Sequence, residues 1–270
     1  MKLMKFNVVS LFPTEFKQFL NMGVVGRAFY DHLAEVQFFN PRNYTHDMHQ
    51  TVDDRPYGGG DGMVMMAEPL QNTLQDIKSN GEIGEVYYLS PKGELWSEHL
   101  AKKWADSQQP KTLICGRYGG IDQRFLMKNN IKELSIGDYV LSGGELAAMV
   151  IMDSVVRKIP NVLGNEVSAN EDSFAKKGLL EAPLFTRPSE WESMTIPSVL
   201  LSGNHQKINR AREKVSLLIT ALSRPDIIIK NNFQSDVMEA LEEVDQWTDQ
   251  EIISWSLNKD ELQKLKEIYL

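Results

Sequence analysis

The 270-residue sequence predicts an α/β protein with a mainly parallel sheet. Short runs rich in β-branched and aromatic residues alternate with helical patterns through the first 160 residues, as in strand–helix–strand units. From about residue 200 the helical pattern continues alone. We therefore expect a larger α/β domain followed by a smaller helical domain.

The individual elements follow from hydrophobic periodicity, taken in chain order. Strands are predicted at 6–12, 35–39, 85–90, 111–116 and 133–136, and helices at 14–20, 26–33, 68–79, 97–106 and 146–159. Further helices are predicted from 204 to 224, 235 to 247, 248 to 257 and 260 to 269. Ser235 and Thr248 are the predicted N-caps, because an acidic residue follows each closely.

Composition and cysteine content narrow the class of protein. With 42% hydrophobic and 24% charged residues, the chain has an ordinary globular composition. The single cysteine, Cys115, excludes a disulfide framework and a multi-cysteine metal site, and it favours a reducing, cytoplasmic compartment. The first residues lack the apolar core of a signal peptide, and no apolar run reaches membrane-spanning length.

The charge of the chain is distributed unevenly. The net charge is −8, which by itself argues against a nucleic-acid partner. The last 40 residues contain ten acids and three bases, a net charge of −7, so the first 230 residues are close to neutral. A local basic surface therefore remains compatible with the first 230 residues.

The segment 160–180 separates the two predicted domains. It is rich in Asn, Ser, Gly and charged residues and has weak periodicity, which is typical of a linker. We place the first domain at 1–162, a flexible linker at 163–178 and the helical domain, with its acidic tail, at 179–270.

Three predicted strands end in short turns with small residues, at 87–93, 114–120 and 135–144. In an open α/β sheet, ligands bind outside the carboxyl ends of the strands, and glycine lets the main chain approach a ligand closely. Neither a G-x-x-x-x-G-K-[ST] nor a G-x-G-x-x-G motif is present. The turns are apolar and aromatic, which suits a purine better than a bare triphosphate. Each turn taken alone is better explained as an ordinary tight turn, and only the three together favour a ligand site.

Ten segments occur together in the order typical of one enzyme family. They are SLFP (10–13), GRA (26–28), NPRNYT (40–45), TVDDRPYGGGDGMVM (51–65), YLSPKG (88–93), CGRYGGID (115–122), SIGDYVLSGGEL (135–146), IPNVLGNEVSANEDSF (159–174), FTRP (185–188) and VLLSGNH (199–205). On these segments the chain resembles the bacterial tRNA (guanine-N(1)-)-methyltransferases, which modify the guanine 3′ of the anticodon. The likeness covers about residues 5–225.

This resemblance implies a SPOUT methyltransferase fold, in which the C-terminal part of the α/β domain forms a trefoil knot. It also implies bound S-adenosylmethionine and a homodimer with active sites at the subunit interface. By match to the family motifs, the expected cofactor contacts are Tyr88, Leu89, Ser90, Gly116, Tyr118, Ile136, Gly137, Asp138, Tyr139, Val140, Leu141, Gly143 and Gly144. A loosely held magnesium ion is a further expectation from the resemblance alone.

The implied reaction needs a base and a cation. The guanine nitrogen N1 carries a proton at neutral pH, and charge develops on the adjacent carbonyl oxygen as that proton leaves. The resemblance assigns the base to Asp172 and the stabilising cation to Arg157. It assigns the contacts to the guanine and to the preceding nucleotide to Ser168 and Asp53. Position alone would make Asp172 a solvated loop residue, and the neighbouring acids Glu171 and Asp54 remain rivals.

The tRNA itself is expected along the helix that begins near residue 204. Lys207, Arg210 and Lys214 are spaced by three and four, so they share one face that could follow a phosphate backbone. A solvated helix face without a partner explains the same spacing equally well.

One departure from the family pattern affects the functional prediction. Gly119 occupies the position where the family usually has glutamate after the tyrosine of GRY. Besides an active methyltransferase, the sequence is therefore compatible with a catalytically weak paralogue that binds tRNA or cofactor without efficient turnover. A generic nucleotide-binding α/β enzyme is a third alternative.

Overall fold

A computed structural model describes residues 3–107, 109–163 and 172–269. The chain divides into two compact units, with the division after residue 169. Our predicted boundaries at 162 and 178 remain a prediction, because half of the predicted linker lies outside the described residues. No helix in the described part of the chain has the length and apolarity needed to cross a lipid bilayer.

The first unit is built on a parallel five-stranded sheet with the strand order β2-β1-β6-β5-β7. Its strands are β1 (Met4–Val9), β2 (Ala34–Phe39), β5 (Glu85–Leu95), β6 (Lys111–Ile114) and β7 (Lys132–Ser135), and a short antiparallel pair consists of β3 (Asp53–Asp54) and β4 (Val64–Met65). The predicted α/β class with a parallel sheet is confirmed. β6 is buried at every position, as expected for a strand paired on both sides.

Helices pack on both faces of this sheet. They are α1 (Gly23–Tyr30), α2 (Ala67–Asn80), α3 (Glu98–Ser107), α4 (Gln123–Lys128) and α5 (Glu145–Val156). Alternate residues of β1 enter different cores: Phe6 and Val8 pack in the core that contains residues of α1, α3 and α5, whereas Val9 packs with residues of α2 and α4. Helix α5 is the most apolar and is buried along most of its length, with Ile151 and Val155 fully buried.

The sequence prediction did not include α4 or the β3–β4 pair, and it differs from the structure at one helix and one strand end. The helix predicted at 14–20 is wrong: the chain forms two 3-10 turns, Pro13–Phe16 and Phe19–Asn21. Each turn buries one phenylalanine, Phe16 or Phe19, in the core. The chain therefore follows the positions of these two rings in the core and does not form one continuous helix. Strand β5 continues to Leu95, five residues beyond its predicted end.

The second unit is mainly helical. It contains α6 (His205–Ser223), α7 (Pro225–Asn231), α8 (Gln234–Val244), α9 (Asp249–Ser254) and α10 (Lys259–Tyr269), together with a small hairpin of β8 (Glu190–Trp191) and β9 (Met194–Thr195). Its core gathers Val215 and Leu218 of α6, Val237 and Leu241 of α8, and Trp255.

The two predicted N-caps of this unit have different outcomes. Thr248 caps α9 in a complete capping box with Glu251, as predicted. The cap at Ser235 is wrong, because α8 begins at Gln234 and its N-cap is Phe233, whose carbonyl accepts from Val237 N at 3.0 Å.

Candidate active site

The three glycine-containing turns meet at the carboxyl ends of β5, β6 and β7. They enclose a cavity of about 340 Å³. Its lining comprises Tyr88, Leu89, Ser90, Pro91, Gly116, Arg117, Tyr118, Gly119, Gly120, Leu134, Ser135, Ile136, Gly137, Tyr139, Val140, Leu141, Ser142, Gly143, Gly144 and Ala147. This volume lies within the range of pockets that hold small molecules, which is ~300–1,000 Å³. The cavity therefore lies where the strand order predicts a ligand site.

Every expected cofactor residue except Asp138 lines this cavity. Asp138 is exposed and lies between Gly137 and Tyr139, both of which do line it. The left-handed backbone at Gly137, with φ 150°, brings the main chain against the ring of Tyr139, so a side chain at Gly137 would collide with that ring. The structure thus brings the three turns together and leaves Asp138 outside the cavity lining.

The first turn is a bulge in β5. Leu89 pairs with Leu134 of β7, and after four residues Glu94 pairs with the same Leu134. Residues 90–93 therefore loop out at the cavity, where Ser90 Oγ accepts from Lys92 N at 3.2 Å. A Cβ at Gly93 would lie 2.2 Å from Leu134 N, so only glycine lets the strand return to its partner here.

The glycine pair of the third turn packs against the second turn. Gly144 N donates to Gly116 O at 3.0 Å, and a Cβ at Gly144 would lie 2.7 Å from Cys115 Cα. A Cβ at Gly143 would lie 2.3 Å from Arg117 Nε. The space left by these two missing side chains is thus occupied by the neighbouring turn of the protein itself.

Sequence reasoning missed Arg117, which links the cavity wall to a buried carboxylate. Arg117 Nη2 lies 2.9 Å from Glu145 Oε2, without the alignment of a hydrogen bond. Glu145 is only 4% exposed, and its other oxygen accepts from Ser10 Oγ at 2.7 Å. The guanidinium also stacks over the ring of Phe12, 4.4 Å from its centroid. The available signal in the sequence was Glu145, the charged residue that follows the glycine pair in GGE and pairs with Arg117.

Burial perturbs two titratable side chains at the inner wall of the cavity. Burial raises the pKa of the Tyr88 phenol, and Glu133 adds to this effect. Burial also raises the pKa of the Cys115 thiol, with Glu145 acting in the same direction and Arg117 opposing it. Cys115 is therefore a neutral packing residue.

Comparison with known proteins identifies the family. The sequence pattern of the family described as "tRNA (Guanine-1)-methyltransferase TrmD" matches residues 4–230 of this chain. The chain belongs to the tRNA (guanine-1)-methyltransferase family. The resemblance stated from the sequence is thus confirmed, and a catalytically weak paralogue is not favoured.

Curated relatives carry the same name. The "tRNA (guanine-N(1)-)-methyltransferase" of Pectobacterium atrosepticum is 52% identical over 222 residues, which are 82% of this chain and 88% of the relative. The protein of that name from Marinomonas sp. is 47% identical over 240 residues, 89% of this chain and 95% of the relative. An Escherichia coli protein of that name is 51% identical over 222 residues, 82% of this chain and 86% of the relative.

Gly119, the departure from the methyltransferase pattern, lies at the cavity rim beside the β3–β4 pair. Its N–H donates to Met63 O at 2.8 Å, and Met65 N donates to Gly120 O at 2.9 Å. A Cβ at Gly119 would lie 3.1 Å from Met63 O, and its backbone is outside the left-handed region. A side chain is therefore sterically feasible after a small adjustment. The same pairing brings β3, with the candidate tRNA contact Asp53, onto this edge of the unit.

The candidate catalytic residues lie in different units. Arg157 is the exposed C-cap of α5 in the first unit, and Asp153 lies one turn before it. Burial raises the pKa of Asp153, while Arg157 acts in the opposite direction. Asp172 belongs to the second unit, where it lines a cavity of about 340 Å³ together with Arg212 and Lys176. Ser168 and Glu171 lie outside the described residues.

The predicted basic face on α6 is partly paired with an acidic residue of α8. Lys207 is exposed, whereas Arg210 and Lys214 both form ion pairs with Glu243 of α8. Burial lowers the pKa of the Lys214 ammonium, Arg210 acts in the same direction, and Glu239 opposes them. The acidic tail therefore neutralises part of the surface that we assigned to tRNA.

The expected magnesium ion gains no support from the geometry. Across residues 3–107, 109–163 and 172–269, no three His, Cys, Asp or Glu side chains are grouped so that they could hold a metal ion. Position 119 at the cavity rim is a glycine and so supplies no carboxylate there.

Proposed function

We propose that this chain transfers a methyl group from S-adenosylmethionine to N1 of the guanine 3′ of the anticodon in tRNA. The observation that carries this proposal is the meeting of three family-specific turns in one cavity at the carboxyl ends of β5, β6 and β7. Family membership over residues 4–230 supports the reaction class.

The cavity fits S-adenosylmethionine in size and in lining. Its volume of about 340 Å³ and its apolar walls, including Leu89, Ile136 and Leu141, suit the adenosine of the donor. Tyr88 and Tyr118 supply aromatic surfaces in the lining, next to Gly116. When bound, S-adenosylmethionine supplies an electrophilic methyl group on a sulfonium. The chain's own part is to hold it in fixed orientation and exclude water.

Asp172 is the proposed general base. N1 of guanine must lose its proton before or as it is methylated, and a carboxylate in hydrogen-bond reach accepts that proton. Arg157 is the proposed donor to the guanine carbonyl oxygen, where negative charge develops.

The tRNA substrate is proposed to contact both units. Asp53 and Ser168 are the proposed contacts to the target guanine and to the nucleotide before it. Lys207 and Arg210 are the proposed contacts to the phosphate backbone, and the exposure of both side chains supports that role. A magnesium requirement remains a separate proposal that only the family resemblance suggests.

We also propose the SPOUT trefoil knot and the homodimer. The return of the chain from β7 to the end of β6, where Gly144 N bonds to Gly116 O, supports a knotted path through the cavity turns. Leu146 and Val150, four residues apart on α5, are 60% and 48% exposed. Such an exposed apolar pair on a helix supports an interface with a second copy of the chain.

The test is methyl transfer from labelled S-adenosylmethionine to unmodified tRNA with guanine at the target position. We expect transfer by the wild type and a loss of ~10²–10⁴-fold in kcat for Asp172→Asn. The matched control is Asp260→Asn, which removes the same charge from an exposed position in α10 and should leave kcat unchanged. Absence of modified nucleoside with the wild type, or equal activity of both variants, would overturn the proposal.

A further inference from the structure

The acidic tail places a carboxylate at the centre of the basic face of α6. Glu243 Oε1 lies 2.9 Å from Arg210 Nη2, and its other oxygen, Oε2, contacts Lys214 Nζ. Lys207, Arg210 and Lys214 together line a cavity of about 360 Å³ that Glu243 and Glu251 also line. Glu251 Oε2 accepts from Thr248 in the capping box of α9, so Glu243 is the carboxylate that pairs with these cations.

The packing of α8 against α6 places Glu243 beside the basic face. The adjacent Val244, and Ala240 one turn earlier, are buried in the core that α8 shares with α6. Glu243 itself is 29% exposed, whereas the neighbouring Glu242 is on the exposed side of α8. The helix packing therefore places position 243 beside α6, and the ion pairs with Arg210 and Lys214 orient its carboxylate.

We infer that Glu243 acts as an internal competitor for the RNA backbone and so limits the affinity of the α6 face for tRNA. This inference rests on the proposed tRNA contacts of Lys207 and Arg210. A carboxylate offers the same cations two anionic oxygens, as a phosphate does. An RNA phosphate must displace this carboxylate or share the cations with it. Each off-target phosphate contact therefore contributes less binding free energy than it would on a basic helix without a facing carboxylate.

Removing the charge of Glu243 should increase the affinity for tRNA. Glu243→Gln keeps the shape of the side chain and frees Arg210 and Lys214. Because a partly exposed ion pair changes an equilibrium by roughly two- to fivefold, we expect tRNA binding to tighten by about that factor at ~0.1 M salt. The slope of log K against log salt should steepen by about 0.7–0.9, the contribution of one added phosphate contact.

The matched control is Glu242→Gln, which changes the net charge equally on the same helix but leaves both carboxylate oxygens that pair with Arg210 and Lys214 in place. Fluorescence anisotropy with labelled tRNA, measured over a series of salt concentrations, compares both variants with the wild type. A thermal melt of each variant checks that α8 remains folded.

A double-mutant cycle with Arg210→Gln isolates the interaction. We expect Arg210→Gln to weaken binding more in the Glu243→Gln background than in the wild type. Equal binding by Glu243→Gln and Glu242→Gln would overturn the inference. Weaker binding by Glu243→Gln would also overturn it, because Glu243 would then orient Arg210 for RNA. Methyl transfer by the wild type, measured in parallel, shows whether the proposed function itself fails.

Discussion

Replacing Gly144 with alanine tests whether close packing between the second and third turns maintains the cavity. The new Cβ would lie 2.7 Å from Cys115 Cα and 3.1 Å from Gly116 N. Carbon atoms in contact prefer ~3.5–4.0 Å, so the start of α5 and the end of β6 must separate by about 1 Å. Overpacking of this kind costs ~1–3 kcal/mol. Backbone strain adds nothing, because Gly144 has an ordinary φ of −79°.

Differential scanning calorimetry measures the stability change, and titration calorimetry measures binding of S-adenosylmethionine. We expect the melting temperature of the first unit to fall by about 2–4 °C per kcal/mol. Because the cavity walls move with the turns, binding should weaken by about tenfold, which corresponds to ~1.4 kcal/mol. Gly81→Ala is the matched control, since a Cβ there meets only Ile77 O at 3.8 Å. If Gly144→Ala matched Gly81→Ala in both measurements, the packing argument would be wrong.

Three further predictions concern charged groups of the first unit. Two lysines, chiefly Lys111, lower the pKa of Glu85 to about 2, so its stabilisation is present above pH ~4.5 and lost as the pH falls towards 2. Because the Glu85 side chain is 39% exposed, we expect Glu85→Gln to cost on the order of 1 kcal/mol at pH 7 and to flatten the loss of melting temperature between pH 5 and 2. Gly119→Glu should fold normally and change the initial rate of methyl transfer less than tenfold; a hundredfold gain would indicate a weak paralogue after all. Glu145→Gln leaves Arg117 without its buried counter-charge, and we expect a loss of about 2–3 kcal/mol in urea unfolding together with weaker S-adenosylmethionine binding; unchanged values for both would contradict this role.

Much of the first unit could be predicted from local sequence. The apolar runs at β1, β2 and β6 appear as strands close to the predicted positions. The convergence of the three glycine turns followed from a general property of parallel sheets, whose strands end on the same edge. Each turn could be identified from its own residue types, without information about the distant residues that it contacts. The glycine spacing was therefore a reliable guide to the candidate site.

Long-range contacts account for what sequence reasoning missed. The bulge at Ser90–Gly93 exists because β5 pairs twice with Leu134 of β7, which the local pattern does not encode. Likewise, Ser10 and Glu145 lie 135 positions apart in the chain, and their hydrogen bond depends on the placement of α5 over β1. No periodicity within either segment predicts such a pair.

The sequence by itself determined the α/β class, the family and the three turns that form the candidate site, because each depends on local residue types and their order. Tertiary structure alone decided that Arg117 is anchored by a buried carboxylate and that Glu243 of the acidic tail faces the basic side of α6. The physical reason is that charge neutralisation depends on distance in space. Helix packing brought Glu243 to Arg210 across 33 positions of chain.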